Sequence, residues 1–140
     1  GTLFVADSKN QIIRKISTAG VVSNFAGVSY VNNGAGTGLN NDGSASAAHF
    51  DYPEGVAFDL NGNLIVADSG TNRIRKIDTA GIVSTIAGIT SVGVPQLANG
   101  TGTAATFKLP YGVTIDTSGS IYVADYGFNS IRKITFKTIP

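Results

Sequence analysis

The stretch Gly62–Gly88, GNLIVADSGTNRIRKIDTAGIVSTIAG, decides the fold, because the chain contains it nearly twice. Gly1–Gly27 (GTLFVADSKNQIIRKISTAGVVSNFAG) aligns on it without a gap, with seventeen of 27 positions identical. A third, partial copy follows at Gly119–Ile134 (GSIYVADYGFNSIRKI), and Phe50–Asn61 (FDYPEGVAFDLN) matches Phe107–Ser118 (FKLPYGVTIDTS). The register is 57 to 61 residues, and the variation in length falls between Gly27 and Phe50. Repetition at a fixed period signals one supersecondary unit used several times.

Within one unit the pattern predicts four short strands. Gly55–Asp59 ends at Asn61-Gly62, a turn pair whose Gly supplies positive φ. Leu64–Asp68 is apolar on both faces, as a strand covered by neighbours on both sides requires. The polar run SGTN leads to Arg73–Asp78, and Ala80-Gly81 turns into Ile82–Ala87. No segment shows a capped helical periodicity. Units of four strands, each buried on both sides by the next, make an all-β chain of propeller blades.

The motifs P-x-G-V-x-x-D, G-N-L-x-V-A-D, N-x-I-R-K-I and G-x-V-x-x-x-A-G, repeated in fixed order, resemble the NHL-repeat family of β-propellers. The resemblance covers the chain outside its two long connections. It implies blades around a central channel, commonly six, and no single activity, since the family includes binding modules, sensors and a few enzymes. Residues 1–140 are then one propeller segment of about three blades. A partial blade of three strands spans 1–27, a complete blade 53–88 and a second three-stranded partial blade 110–135. Residues 28–50 and 89–107 are the connections between blades. Three blades cannot close a ring, so the chain is expected to be an open fragment of a longer propeller or half of a six-bladed homodimer, with the remaining blades or a second copy as partner.

Composition narrows the function. Hydrophobic residues make up 42% and charged residues 14%, so the chain reads as globular. Ten Lys and Arg against nine Asp and Glu give a formal charge of +1, which favours neither nucleic acid nor an anionic membrane. No apolar run reaches the roughly 20 residues that cross a bilayer as a helix, and no signal peptide is visible. A chain that begins at Gly1 and has no Met is expected to be a processed product or an excised piece. The absence of Cys removes disulfides and thiolate metal sites and leaves the redox compartment open. Low charge and abundant Thr, Ser, Asn and Gly suggest an extracellular or cell-surface location.

Asp7, Asp68 and Asp125 recur at the end of the second strand of each unit, and Arg14, Arg75 and Arg132 recur seven residues later. A residue doing chemistry is needed once, whereas one that holds a blade together is needed in each. These six are read as structural, each Asp accepting from the loop that follows and pairing with its own blade's Arg. The same reasoning covers Asp59 and Asp116 beside their turns. The Arg-Lys pairs point to opposite strand faces and form no basic patch. His49 is the only His, and with no Cys it cannot anchor a typical zinc site or the histidine-rich centre of the lyases that share this propeller type. Gly34–Gly38 (GAGTG) lacks the Lys and helix of a phosphate loop. Asn99-Gly100-Thr101 is a glycosylation sequon, meaningful only in a secreted eukaryotic protein. No catalytic residue, metal site or cofactor is assigned.

Topology directs attention to one face. In an up-and-down blade, the loops from second to third strand and the connections between blades emerge at the same end. That end gathers Ser8–Gln11, Ser69–Asn72, Tyr126–Asn129 and both long connections. Tyr30, Tyr126 and Phe128 lie there, with Tyr52, Glu54, Lys108 and Tyr111 near the channel mouth. These seven are the expected contacts for a protein or glycan partner, although aromatics in loops can equally pack the loops onto the blades. The leading expectation is a non-catalytic binding or scaffold module. The alternatives are an enzyme with its site at the channel mouth and a structural repeat of an extracellular assembly.

Overall fold

A computed structural model describes residues 1–29, 41–89 and 96–136. The described strands are β1 (Leu3–Asp7), β2 (Ile12–Ile16), β3 (Val22–Ala26), β4 (Gly43–Ser44), β5 (Pro53–Phe58), β6 (Leu64–Asp68), β7 (Arg73–Ile77), β8 (Ile82–Gly88), β9 (Pro110–Ile115), β10 (Ile121–Asp125) and β11 (Ser130–Ile134). They form three antiparallel sheets in the orders β1-β2-β3, β4-β8-β7-β6-β5 and β11-β10-β9. The fold is an all-β partial propeller. β5, the innermost strand of the second sheet, lies against both β1 and β9, so the sheets follow one another as blades.

Burial on both faces explains the unbroken apolar runs. All five residues of β6 are buried. Leu64 and Val66 face the first sheet, packing with Ile13, Ala26, Phe50, Ile77 and Val83. Ile65 and Ala67 face the third, with Ile74, Ala87, Phe107, Ile121 and Val123. Alternation along a strand thus puts one core on each side of the blade.

The turns at one end of the strands are held by carboxylates. Asp59 Oδ1 accepts the backbone N–H groups of Asn61 and Asn63 at 2.9 and 2.8 Å. Asp116 Oδ1 accepts those of Ser118 and Ser120, both at 2.9 Å. Such Asx turns satisfy donors that the ladder leaves open. Hydrogen bonds, the Ser118 hydroxyl foremost, hold the Asp116 carboxyl down at about 2. At the other end each second strand runs into a single turn of 3-10 helix (Ser8–Asn10, Ser69–Thr71, Tyr126–Phe128), closed by Gln11, Asn72 or Asn129 at φ 60°, 57° and 50°.

The first long connection departs from a plain loop. Gly43 and Ser44 pair with Val83 and Ile82 as a fifth strand on the outer edge of the second sheet. Ala45 then donates to the Gly81 carbonyl, at the tight-turn end of that sheet. Two residues are too few to show an alternating pattern, so this strand has no sequence signature.

Candidate functional site

Each sheet carries an Asp–Arg pair, and in two sheets the preceding connection closes over it. Arg75 Nη1 donates to Asp68 Oδ2 and to the His49 carbonyl, each at 3.0 Å. Its Nη2 donates to Asp42 Oδ1 at 2.7 Å and the Asn41 carbonyl at 3.1 Å. The guanidinium lies 5.4 Å from the centre of the Phe50 ring. Asp68 also accepts the Asp51 N–H at 2.7 Å and the Thr71 hydroxyl at 2.8 Å. Both side chains are fully buried.

The third sheet repeats the arrangement. Arg132 Nη1 donates to Asp125 Oδ2 at 3.0 Å and the Thr106 carbonyl at 2.7 Å. Its Nη2 donates to Asn99 Oδ1 and the Ala98 carbonyl at 2.8 and 2.9 Å, and Phe107 lies 5.0 Å from the guanidinium. The Lys108 N–H donates to Asp125 Oδ1 at 2.8 Å. In the first sheet, Arg14 reaches Asp7 only through Nε, at 3.0 Å, and spends Nη1 on Asn24 of its own sheet. That pair is 34% and 26% exposed.

Burial pushes the Asp68 carboxyl up to about 6, against the opposing Asp51 N–H, the Arg75 charge and the Thr71 hydroxyl. An acid raised above its ordinary value near 3.8 holds, in the folded chain, a proton that the unfolded chain has released. Its contribution to stability is therefore present below the unfolded value and is lost as pH rises through about 6. Urea unfolding at pH 7 and pH 5 should show this gain on acidification in the wild type. Asp68→Asn should lack that component, and identical pH slopes in the two proteins would contradict the assignment.

The residues expected at the channel mouth separate into two groups. Tyr52 and Glu54 border an open groove of about 810 Å³ shared with Val5, Ser8, Lys9 and Arg14. There the Ser8 hydroxyl donates to the Pro53 carbonyl at 2.7 Å and to Glu54 Oε2 at 3.2 Å, tying the first sheet to the second. Tyr52 sits at φ 49°, and its carbonyl accepts the Ser69 N–H. Tyr111 and Tyr126 border a smaller hollow of about 300 Å³. Their rings are parallel, with centres 4.8 Å apart. They remain 42% and 60% exposed. Lys108 is half-buried, and its carbonyl accepts the Gly127 N–H at 2.7 Å. Phe128 is half-buried and borders neither space. Tyr30 and Gly34–Gly38 lie outside the described residues.

Sequence reasoning missed the closing segments. The signal was present: Asp42 and Phe50 stand 57 residues before Asn99 and Phe107, so the repeat extends further back than Phe50. Asn99, read as a sequon, also holds Arg132.

The NHL-repeat family matches residues 50–77, the stretch that runs from Phe50 through Arg75. Human NHL repeat-containing protein 2 is 40% identical over 56% of this chain, and the chicken protein is 30% identical over 97% of it. The chain spans 11% and 19% of the length of those relatives. A structural genomics protein of unknown function from Bacteroides thetaiotaomicron superposes over 94% of this chain and 32% of its own, with a TM-score of 0.81 and 30% identity. An auxiliary nutrient binding protein from the same organism superposes over 94% of this chain and 34% of its own, with a TM-score of 0.75 and 17% identity, which is a likeness of fold. Blade pattern, sheet order and these relatives agree: the chain belongs to the NHL-repeat β-propellers.

Proposed function

We propose that this chain is a non-catalytic binding or scaffold module that contacts a protein or glycan through its long-loop face. The NHL-repeat fold supports a binding or scaffold role in general, and fold neighbours are described as nutrient-binding proteins. The observation that carries the finer reading is the tyrosine stack. At the matching positions of the second unit stand Glu54 and Ser69; in the third, both neighbours have become aromatic together. Two large rings left in water serve no core, and a flat aromatic platform suits a sugar face or a partner's side chain.

Tyr111→Ala/Tyr126→Ala is expected to weaken binding at least tenfold, on a glycan array or against an isolated protein ligand, with a melting temperature within about 2 °C of wild type. Asn61→Asp and Thr79→Asp, in the turns at the opposite end, should leave binding unchanged. Binding that follows the turn variants, or tyrosine variants that unfold, would defeat this reading.

A further inference from the structure

Two Asn-Gly pairs lie among the described residues, Asn61-Gly62 and Asn99-Gly100, and the fold treats them in opposite ways. In such a pair the backbone nitrogen of the glycine can reach the asparagine side-chain carbonyl, because glycine puts no side chain in its path. At Asn61-Gly62 that nitrogen is engaged. The Gly62 N–H donates to the Asp59 carbonyl at 3.2 Å, and the Asn61 N–H donates to Asp59 Oδ1 at 2.9 Å. Among the described residues no donor reaches the Asn61 side-chain oxygen.

At Asn99-Gly100 the pattern is reversed. Arg132 Nη2 donates to Asn99 Oδ1 at 2.8 Å. The guanidinium is itself anchored on Asp125 and on the Thr106 and Ala98 carbonyls. Among the described residues no hydrogen bond engages the Gly100 N–H or Asn99 Nδ2. A fixed cationic donor on the amide oxygen draws electrons from the carbonyl carbon. It also faces the negative charge that forms on that oxygen when the carbon is attacked.

We propose that Asn99 is a self-modification site, deamidated by the Gly100 nitrogen with Arg132 as the oxyanion donor. The Gly100 nitrogen bonds to Asn99 Cγ, and the Cγ–Nδ2 bond breaks. The Gly100 proton passes through water to the departing nitrogen, which leaves as ammonia. A water molecule then opens the resulting succinimide at either carbonyl, giving aspartate or isoaspartate at 99. The repeat already has aspartate at the corresponding place: Asp42, also followed by glycine, meets Arg75 Nη2 at 2.7 Å. Aspartate at 99 therefore fits the site and turns a neutral contact with Arg132 into an ion pair. Isoaspartate instead lengthens the backbone by one carbon inside the closing segment. Either product removes the Nδ2 that a sequon would present. Asn99 and Arg132 border a hollow that shares no residue with that of the tyrosine stack, so this proposal is tested independently of it.

The test incubates the chain at neutral pH in water enriched in heavy oxygen, and peptide mass spectrometry follows the label at each asparagine. In the folded chain Asn99 is expected to convert roughly tenfold faster than Asn61, or more. In urea, where only local sequence acts, the two should convert at similar rates and Asn99 should slow. Arg132→Lys keeps the charge and loses the fork, so it should slow Asn99 several-fold in chains that keep their circular dichroism, with Asn61 unchanged. If that variant unfolds, the urea comparison decides alone. Asn99 converting no faster than Asn61 in the folded chain, or no slower in urea than when folded, overturns the proposal; Arg132 would then shield the amide instead of activating it. An unchanged Asn99 rate in folded Arg132→Lys overturns it as well.

Discussion

Arg75→Leu is expected to cost roughly 3–5 kcal/mol of stability at neutral pH, while Arg14→Leu costs roughly 0–1 kcal/mol. The two arginines hold the same place in the repeat and differ in their surroundings. Arg75 is fully buried against Asp68, two carbonyls, Asp42 and the Phe50 ring. Removing it strands a buried carboxylate and releases the segment that the guanidinium holds. Arg14 is one-third exposed, and water replaces its bonds when it is lost. Arg75→Lys, which keeps the charge and loses the fork, should fall between. Urea denaturation of the four proteins measures this directly. Equal losses at the two arginines would mean that the closing segment contributes nothing.

The closing segments also shape the strands that follow them. The segments that cover Arg75 and Arg132 end at Tyr52 and Leu109, which enter the innermost strands at φ 49° and 51°. That conformation is uncommon for bulky residues and persists where the surroundings impose it. Here the neighbouring turns do so: Ser69 donates to the Tyr52 carbonyl, and Leu109 donates to the Asn72 side chain at 2.8 Å. Residues that hold the blades therefore also fix the start of β5 and β9, the strands that carry Glu54 and Tyr111.

The blades were legible because the repeat states the same pattern several times and because β6 must be apolar on both faces. The recurring Asp and Arg were legible as a set. Their partners were not, since backbone carbonyls carry no side-chain signature and Asp42 lies beyond a segment of variable length. β4 was invisible for the reason that two residues have no period. Tyr126 could be read as a loop aromatic and Tyr111 as a residue expected near the channel mouth, but only the fold brings the two, fifteen positions apart, into parallel contact.

Gly55→Ala is expected to cost about 3 kcal/mol, a fall in melting temperature of roughly 10 °C, whereas Gly112→Ala, its counterpart in the next blade, should change stability by less than about 1 kcal/mol. A Cβ on Gly55 would stand 2.4 Å from the Tyr111 carbonyl oxygen and 3.2 Å from Gly112 Cα. Both obstacles are backbone atoms of β9, which cannot rotate aside, so the second and third sheets must move apart along their innermost strands. A Cβ on Gly112 would meet only the Ala124 methyl at 3.6 Å, an ordinary contact. The displaced backbone in Gly55→Ala is that of Tyr111 itself. The binding proposed for the tyrosine stack should therefore fall in the molecules that remain folded, and Tyr111→Ala should add little to that loss. If Gly112→Ala proves as costly as Gly55→Ala, the approach of β5 to β9 is not what limits the packing of these blades.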